Sequence, residues 1–284
     1  EDELKQKMNI PVFHDDQHGT AIISGAGLVN AVELVNKKMS DIKININGAG
    51  ASAISCARLF VTLGANPNNI LMCDSKGVIY KGREGLNKQK EEFAVETDCR
   101  TLEDTFDGAD VFIGLSIGNV VSKDMILKMN ENPIVFAMAN PDPEISPKDA
   151  FEARQDIIMA TGRTDYPNQV NNVLGFPFIF RGALDVAATD INEEMKVAAS
   201  IALAKLAKLG AGPEIAKKHN RNELVYGKEY IVPSPFDPRV LVWESYAVAK
   251  AAIETGVARI NLDLNEYKSK LEKMAGVEPQ DIDL

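Results

Sequence analysis

The sequence predicts an α/β fold, a doubly wound parallel sheet with helices at its C-terminal end. Short apolar runs rich in β-branched residues alternate with helix-compatible segments between positions 42 and 161. A polar or glycine-containing turn follows each of these runs, as it does where a parallel strand passes into a crossover helix. Beyond position 192, Ala and Leu recur at helical spacing and replace the strand pattern.

The expected elements follow in chain order from apolar periodicity and from residues that end helices. A short helix ends at residue 9 before Pro11, and a long apolar helix begins near Thr20, after the polar turn 14–19. Strands are predicted at 42–47, 70–74, 111–115, 133–139 and 157–160, with helices at 51–63, 88–93, 101–106 and 122–129. A proline-rich connector at 232–239 separates helix 192–208 from helices 241–255 and 264–274.

Length, charge and cysteine content exclude several classes of protein. The 284 residues suffice for a buried core, and the formal charge of −10 is spread along the chain, so a nucleic-acid partner is not expected. The sequence contains no apolar run long enough to span a bilayer, so no membrane partner is expected either. The three cysteines lack metal-binding or disulfide spacing, which predicts a cytoplasmic protein.

A glycine-rich turn at the end of the first predicted strand gives the strongest functional signal. Residues 42–59 read IKININGAGASAISCARL, a strand, a turn and a helix start, the arrangement that holds the pyrophosphate of a dinucleotide. Gly48 permits the sharp turn, Gly50 lets backbone N–H groups approach the phosphates, and Ala53 lets helix and strand pack closely. The predicted contacts are Gly48, Ala49, Gly50, Ala51, Ser52 and Ala53.

An acid at the end of the second predicted strand extends this prediction to the ribose. Asp74 lies about two dozen residues beyond the glycines, where a carboxylate accepts the ribose hydroxyls of NAD. Lys76 could instead meet the 2′-phosphate of NADP, so the acid favours NAD by a narrow margin and both cofactors stay open. Ligands lie beyond the carboxyl ends of strands in such sheets, which adds segments 116–119, 140–143 and 161–163 to the predicted site.

Two adjacent carboxylates in the polar turn, Asp15 and Asp16, could serve a hard divalent cation such as Mg²⁺ or Mn²⁺. Because neighbouring side chains of an extended chain point apart, only one of the pair is expected to face a metal. The structural alternative is an Asp that caps the helix starting near Thr20. Asn140 and Asn172 are equally ambiguous, because an asparagine can bind a ligand or form a turn.

Several motifs, taken in order, resemble the malic enzymes. They are FHDDQHGTA at 13–21, GAGASA at 48–53, FAMANP at 136–141, and NNV followed by FP between 171 and 177. The PSPFDPR stretch at 233–239 is closest to the compact, bacterial-type form. We therefore expect a Rossmann-type NAD(P)-binding domain at 20–255, preceded by the end of another segment at 1–19 and followed by a helical extension at 256–284.

The resemblance implies oxidative decarboxylation of L-malate to pyruvate and CO₂, with reduction of NAD⁺ or NADP⁺ and assistance from Mg²⁺ or Mn²⁺. In that reaction hydride leaves C2, CO₂ is then lost, and the metal stabilises the enolate as a Lewis acid. By motif position Asp16 would be a metal ligand, and Asp15 a neighbouring carboxylate that pairs with the catalytic lysine. Asn140 and Asn172 would lie where nicotinamide and malate meet, so Asp15, Asn140 and Asn172 would have catalytic roles and both asparagines would contact the cofactor.

The chain departs from the family pattern at its N-terminal end. The family's catalytic tyrosine and lysine, and a Glu-Asp pair of metal ligands, belong to a segment before the FHDDQHG motif that these 284 residues do not contain. We therefore expect this chain to bind dinucleotide but to turn over malate negligibly. The alternatives are a malolactic enzyme, which yields lactate with bound NAD, and a nucleotide-binding module without catalysis. The family also implies a homodimer for the full-length protein.

Overall fold

The computed structural model describes residues 1–284, the side chain of Asp2 excepted. The chain divides into two compact units, one formed by residues 1–27 and 171–284 and the other by residues 28–170. The domain boundaries expected from the sequence, 1–19, 20–255 and 256–284, stay a prediction.

The N-terminal residues form two helices, α1 (Asp2–Lys7) and α2 (Asp15–Leu34). The long helix therefore begins five residues earlier than predicted, and the expected polar turn at 14–19 is wrong. Asp15 and Asp16 occupy its first turn, where the partial positive charge of the helix end stabilises carboxylates. Backbone N–H groups of Gln17 and His18 donate to the carbonyl of His14 and close this first turn.

Residues 28–170 contain a six-stranded sheet with the order β3-β2-β1-β4-β5-β6. Every pairing is parallel except that of β2 with β3, a two-residue antiparallel strand that the sequence pattern does not predict. The doubly wound α/β prediction is thus confirmed, with one antiparallel edge. The strands are β1 (Ile44–Asn47), β2 (Ile70–Asp74), β3 (Gly77–Val78), β4 (Val111–Gly114), β5 (Ile134–Ala137) and β6 (Ile158–Thr161).

The central strands are buried along their whole length because both faces of the sheet are covered. All residues of β1, β4, β5 and β6 are buried. Phe106 and Phe112 pack with ring centroids 5.1 Å apart in a cluster on one side of the sheet. The helices of this unit are α3 (Ala51–Thr62), α4 (Lys88–Glu91), α5 (Lys123–Leu127) and α6 (Pro147–Ala153), with short 3₁₀ turns at Pro67–Asn69 and Glu103–Phe106.

The C-terminal part of the other unit is helical. Helices predicted at 192–208, 241–255 and 264–274 are confirmed to within two residues at each end, and the helix Arg239–Glu254 packs against the helices Phe176–Asp185, Glu193–Lys208 and Leu264–Ala275. The helix at Phe176–Asp185 was not predicted because its start, Phe-Pro-Phe-Ile-Phe, is aromatic and β-branched, although Pro177 suits a first helical turn. The helices are α7 (Phe176–Asp185), α8 (Glu193–Lys208), α9 (Pro213–Lys218), α10 (Arg239–Glu254) and α11 (Leu264–Ala275).

Within the described part of the chain, no helix combines the length and the apolar character that crossing a bilayer requires.

Candidate functional site

The turn between β1 and α3 has the geometry that the glycine pattern predicts. Gly48 has a φ of +130°, a conformation that side-chain-bearing residues rarely adopt. A Cβ at this position would lie 2.7 Å from the carbonyl oxygen of Leu115. The N–H of Gly48 donates to the carbonyl of Cys73 at 2.9 Å, so the turn is fixed to the neighbouring strand β2. Only glycine therefore fits here without distortion.

The N-terminus of α3 is open to a ligand. A Cβ built on Gly50, the residue that precedes the helix, meets nothing within 4 Å. The first turn of α3 carries no acid, and the first N–H groups of a helix have no acceptor within it. Ala53 is 1% exposed, in keeping with close packing of this helix on the sheet. This helix end can therefore receive an anion such as a pyrophosphate.

Asp74 ends β2 and is held by cationic side chains. Its Oδ1 accepts hydrogen bonds from Arg83 Nη2 at 2.7 Å and from the backbone N–H of Lys76 at 2.9 Å. Its Oδ2 accepts from Lys90 Nζ at 2.7 Å. Burial alone would raise the pKa of Asp74, but the bonds from Lys90, Arg83 and Lys76 outweigh it and lower the pKa to about 2. Sequence reasoning noted Lys76 and missed Arg83 and Lys90.

The carboxyl ends of β1 and β4 meet where the strand order of the sheet reverses. Asn47 Nδ2 donates to Ser116 Oγ at 2.7 Å and ties the end of β1 to the loop after β4. The turns after β1, β2, β4, β5 and β6 share this edge, because those strands are mutually parallel. In doubly wound sheets this reversal point is where ligands bind. Asn140 follows β5 at the same edge and is exposed.

A buried carboxylate, Glu144, supports the loops after β4 and β5. Its Oε1 accepts from the backbone N–H of Ser116 at 3.2 Å, and its Oε2 from that of Ala139 at 3.0 Å. Glu144 is 0% exposed, and a Cβ on Gly114 would overlap its carboxyl group. Burial raises the pKa of Glu144, and the backbone N–H donors oppose that rise. Sequence reasoning missed this residue, because an acid after Asn-Pro-Asp-Pro reads as part of an exposed turn.

In the other unit, Asn172 joins the predicted residue Asp15. Asn172 Nδ2 donates to Asp15 Oδ2 and to the carbonyl of Asp15, both at 3.2 Å. Its Oδ1 accepts from Thr20 Oγ1 at 2.9 Å, which fixes the orientation of the amide. Asn171 has a structural role as the cap of the 3₁₀ turn Asn172–Leu174, because its side chain accepts from the N–H of Val173. The two neighbouring asparagines thus make different contacts.

One oxygen of Asp15 is buried with no hydrogen-bond partner among the described residues. Burial raises the pKa of Asp15, against the bond from Asn172, and the charge of Asp16 raises it further. A Cβ on Gly19 would overlap this same oxygen, so the glycine leaves it room. A buried carboxylate oxygen without a donor is costly, and it fits a site whose donor comes from outside these residues.

Asp16 is exposed in the first turn of α2. The helix starts at Asp15, so neither acid caps a helix beginning at Thr20, and that structural alternative is wrong. Among the described residues, no group of three or more His, Cys, Asp or Glu side chains is placed to hold a metal ion. The residues described therefore do not form a complete metal site, and the role of Asp16 as a metal ligand stays a prediction.

Comparisons with known proteins agree with this arrangement. The sequence model of the family "Malic enzyme, NAD binding domain" matches residues 17–215. An NADP-dependent malic enzyme of Rhizobium meliloti is 56% identical over 273 residues, which cover 95% of this chain and 36% of that protein. The bifunctional malic/malolactic enzyme of Bacillus subtilis is 51% identical over 279 residues, covering 96% of this chain and 64% of that enzyme.

Solved structures agree with the sequence relatives. The crystal structure of Entamoeba histolytica malic enzyme matches with a TM-score of 0.85 and 40% identity, covering 96% of this chain and 56% of that one. The chain spans about a third of the length of the Rhizobium meliloti relative. A family match over residues 17–215, with the fold and the glycine turn of a dinucleotide-binding domain, shows that the chain belongs to the malic enzyme family.

Proposed function

We propose that this chain is the dinucleotide-binding part of an enzyme that oxidatively decarboxylates L-malate to pyruvate and CO₂. The observation that carries the proposal is the β1–α3 turn, where Gly48 adopts a φ of +130° beside an open helix N-terminus. The names of the relatives support malate as the substrate. Because this chain covers only part of the length of those relatives, the activity of the whole protein is part of the proposal. The bound dinucleotide supplies the hydride acceptor for C2 of malate.

The proposed role of this chain is to bind the dinucleotide and to orient the Asp15 carboxylate. The first N–H groups of α3 hold the pyrophosphate, and Asp74 and its cationic partners hold the adenosine ribose. Thr20 holds Asn172, and Asn172 holds Asp15, so Asp15 presents its unpartnered oxygen in one orientation. That oxygen suits a lysine ammonium, the partner that the family resemblance gives it.

A divalent cation is part of the proposed activity. Asp16 would be its ligand from this chain, and Mg²⁺ or Mn²⁺ would supply Lewis-acid polarisation of the substrate oxygen. Its carboxylate is exposed in the first turn of α2, and the family resemblance gives Asp16 that role. We also propose a cytoplasmic location, as the cysteine pattern predicts, and a homodimer for the full-length protein, as the family resemblance implies.

An activity assay on the full-length protein tests the proposed function. Malate, Mg²⁺ and NADP⁺ or NAD⁺ are supplied, and reduced cofactor, pyruvate and lactate are each measured. Equal amounts of reduced cofactor and pyruvate support the proposal. Lactate without reduced cofactor would assign the malolactic reaction instead, and dinucleotide binding without any product would leave a nucleotide-binding module.

We propose NADP as the preferred cofactor, against the narrow preference for NAD that Asp74 gives in the sequence. Binding a ribose diol in the usual two-pronged way needs one acceptor position on each carboxylate oxygen. Asp74 Oδ1 already accepts two hydrogen bonds, and Oδ2 is engaged by Lys90. Arg83 and Lys90 both form ion pairs with Asp74, which gives two cations against one acid, and Lys76 lies two residues further along the chain. That excess positive charge suits a 2′-phosphate.

Replacing Lys90 by methionine is expected to reverse the cofactor preference. The change removes a cation from the proposed phosphate site and frees Asp74 Oδ2 for a ribose hydroxyl. The Kd for NADP⁺ should rise about tenfold, because a hydrogen bond to a charged group is lost, while that for NAD⁺ stays constant or falls. Calorimetric titration of both cofactors measures this. Lys88→Met, an exposed position on the same short helix, is the matched control, and equal losses for both cofactors would reject the assignment.

A further inference from the structure

The order of strands assigns the two halves of a dinucleotide to opposite sides of β1. Asp74 ends β2 on one side of β1, and β4 and β5 lie on the other side. A dinucleotide with its pyrophosphate at Gly48 and its adenosine ribose at Asp74 therefore extends its nicotinamide half toward the carboxyl ends of β4 and β5. Those are the two strand ends that Glu144 joins through Ser116 and Ala139.

Glu144 places a buried carboxyl group with no cationic partner among the described residues beneath those loops. Both oxygens accept backbone N–H groups, and within the described residues no lysine or arginine forms an ion pair with it. The group is 0% exposed, so water does not screen it directly. A Cβ at Gly114 would overlap the carboxyl group of Glu144, so only glycine leaves room for this group at the end of β4. A structural acid that served only to satisfy two N–H groups could be replaced by a neutral acceptor without the cost of burying a charge.

The two redox forms of the cofactor differ in the charge that such a carboxylate faces. The oxidised nicotinamide ring carries one positive charge and the reduced ring carries none, whereas the rest of the molecule is unchanged. A buried negative charge therefore changes the affinity of one form relative to the other. At an effective dielectric constant near 20, a unit charge about 10 Å away changes an equilibrium about tenfold.

We propose that Glu144 is a specificity-determining residue that favours the oxidised over the reduced dinucleotide at this site. The inference depends on the proposed dinucleotide site and adds a role that the binding geometry alone does not require. Its consequence for the reaction is directional, because the same charge that favours binding of the oxidant favours release of the reduced product. Glu144 acts at a distance and is not a catalytic residue.

The test compares oxidised and reduced cofactor in the same chain. NADP⁺ and NADPH are each titrated into residues 1–284 at pH 8 by calorimetry, for the wild type and for Glu144→Gln. We expect Glu144→Gln to raise the ratio of the NADP⁺ Kd to the NADPH Kd about tenfold. Glu152→Gln, an exposed acid on α6, should leave that ratio unchanged.

A second variant separates charge from loop support. Glu144→Asp keeps the charge but is too short to keep both hydrogen bonds, so it should retain the wild-type ratio even if both affinities fall. Equal changes of both affinities in Glu144→Gln, or the same altered ratio in both variants, would overturn the inference while leaving the dinucleotide site intact. A wild-type chain that binds neither form would instead overturn the proposed function, and this inference with it.

Discussion

Replacing Gly48 by alanine is expected to abolish detectable dinucleotide binding and to lower the free energy of unfolding by about 1–3 kcal/mol. The φ of +130° is strained for any residue with a Cβ, and that atom would lie 2.7 Å from the carbonyl oxygen of Leu115. Relief of the overlap moves either the turn or the end of β4, and both contribute to the predicted site. Urea unfolding and calorimetric titration with NADP⁺ measure the two effects.

Two further glycine variants separate folding from binding. Gly50→Ala has no strain to relieve, because its φ is −81° and its Cβ meets nothing within 4 Å. It should keep the stability within about 0.5 kcal/mol and still weaken NADP⁺ binding at least about tenfold, because the new methyl group occupies the surface that the phosphates approach. Gly212→Ala, at the equally open start of α9, is the control and should change neither quantity. Unchanged binding in Gly50→Ala would contradict the phosphate site.

Replacing Glu244 by methionine is expected to stabilise the chain by about 1–3 kcal/mol. Glu244 lies on α10, is 0% exposed, and both of its carboxyl oxygens lack a hydrogen-bond partner among the described residues. One of them would be 3.6 Å from a Cβ on Gly175, so the group is enclosed by packed helices. Methionine has a similar helix propensity and fills irregular space without a polar group. Glu254→Met, at the exposed end of the same helix, is the matched control.

The stability gain from Glu244→Met is expected to grow as the pH rises. Burial raises the pKa of Glu244 well above 4.5, so the folded chain keeps the proton after the unfolded chain has released it. Below about pH 4.5 both states hold the proton, and ionisation adds nothing to the difference between variant and wild type. As the pH rises above that value, the wild type loses stability relative to Glu244→Met until the folded-state pKa is reached. Urea midpoints at pH 5 and pH 8 measure this, and a gain that shrinks at the higher pH would contradict it.

Local patterns in the sequence predicted the parts of the fold that depend on local chemistry. The strand at 70–74 has its expected limits, and the helix after Gly50 ends one residue before its expected limit, because each follows from an apolar run bounded by a turn residue. The helix at Phe176–Asp185 was missed because its aromatic and β-branched start matches a strand as well as a helix. The start of α2 was misplaced because two acids were interpreted as a turn, although acids are favoured in a first helical turn.

The candidate site depends on contacts that no spacing encodes. Asp74 could be predicted from its place after a strand, but its bonds to Arg83 and Lys90 require an antiparallel edge and a short helix to bring distant residues together. Glu144 meets Ser116 only because β4 and β5 are neighbours in the sheet. Asn172 and Asp15 are 157 residues apart in the sequence and also meet only in the folded chain.

The most direct test of the proposed dinucleotide site is calorimetric titration of NADP⁺ into the purified 284-residue chain. Malate and Mg²⁺ are then added while the absorbance of the reduced cofactor is recorded. The account predicts saturable binding of one NADP⁺ per chain, a weaker affinity for NAD⁺, and no malate-dependent rise in absorbance. Absence of saturable binding at millimolar cofactor would contradict the assignment of residues 28–170 as a dinucleotide-binding unit. Measurable malate-dependent reduction would show instead that these residues contain the whole catalytic set.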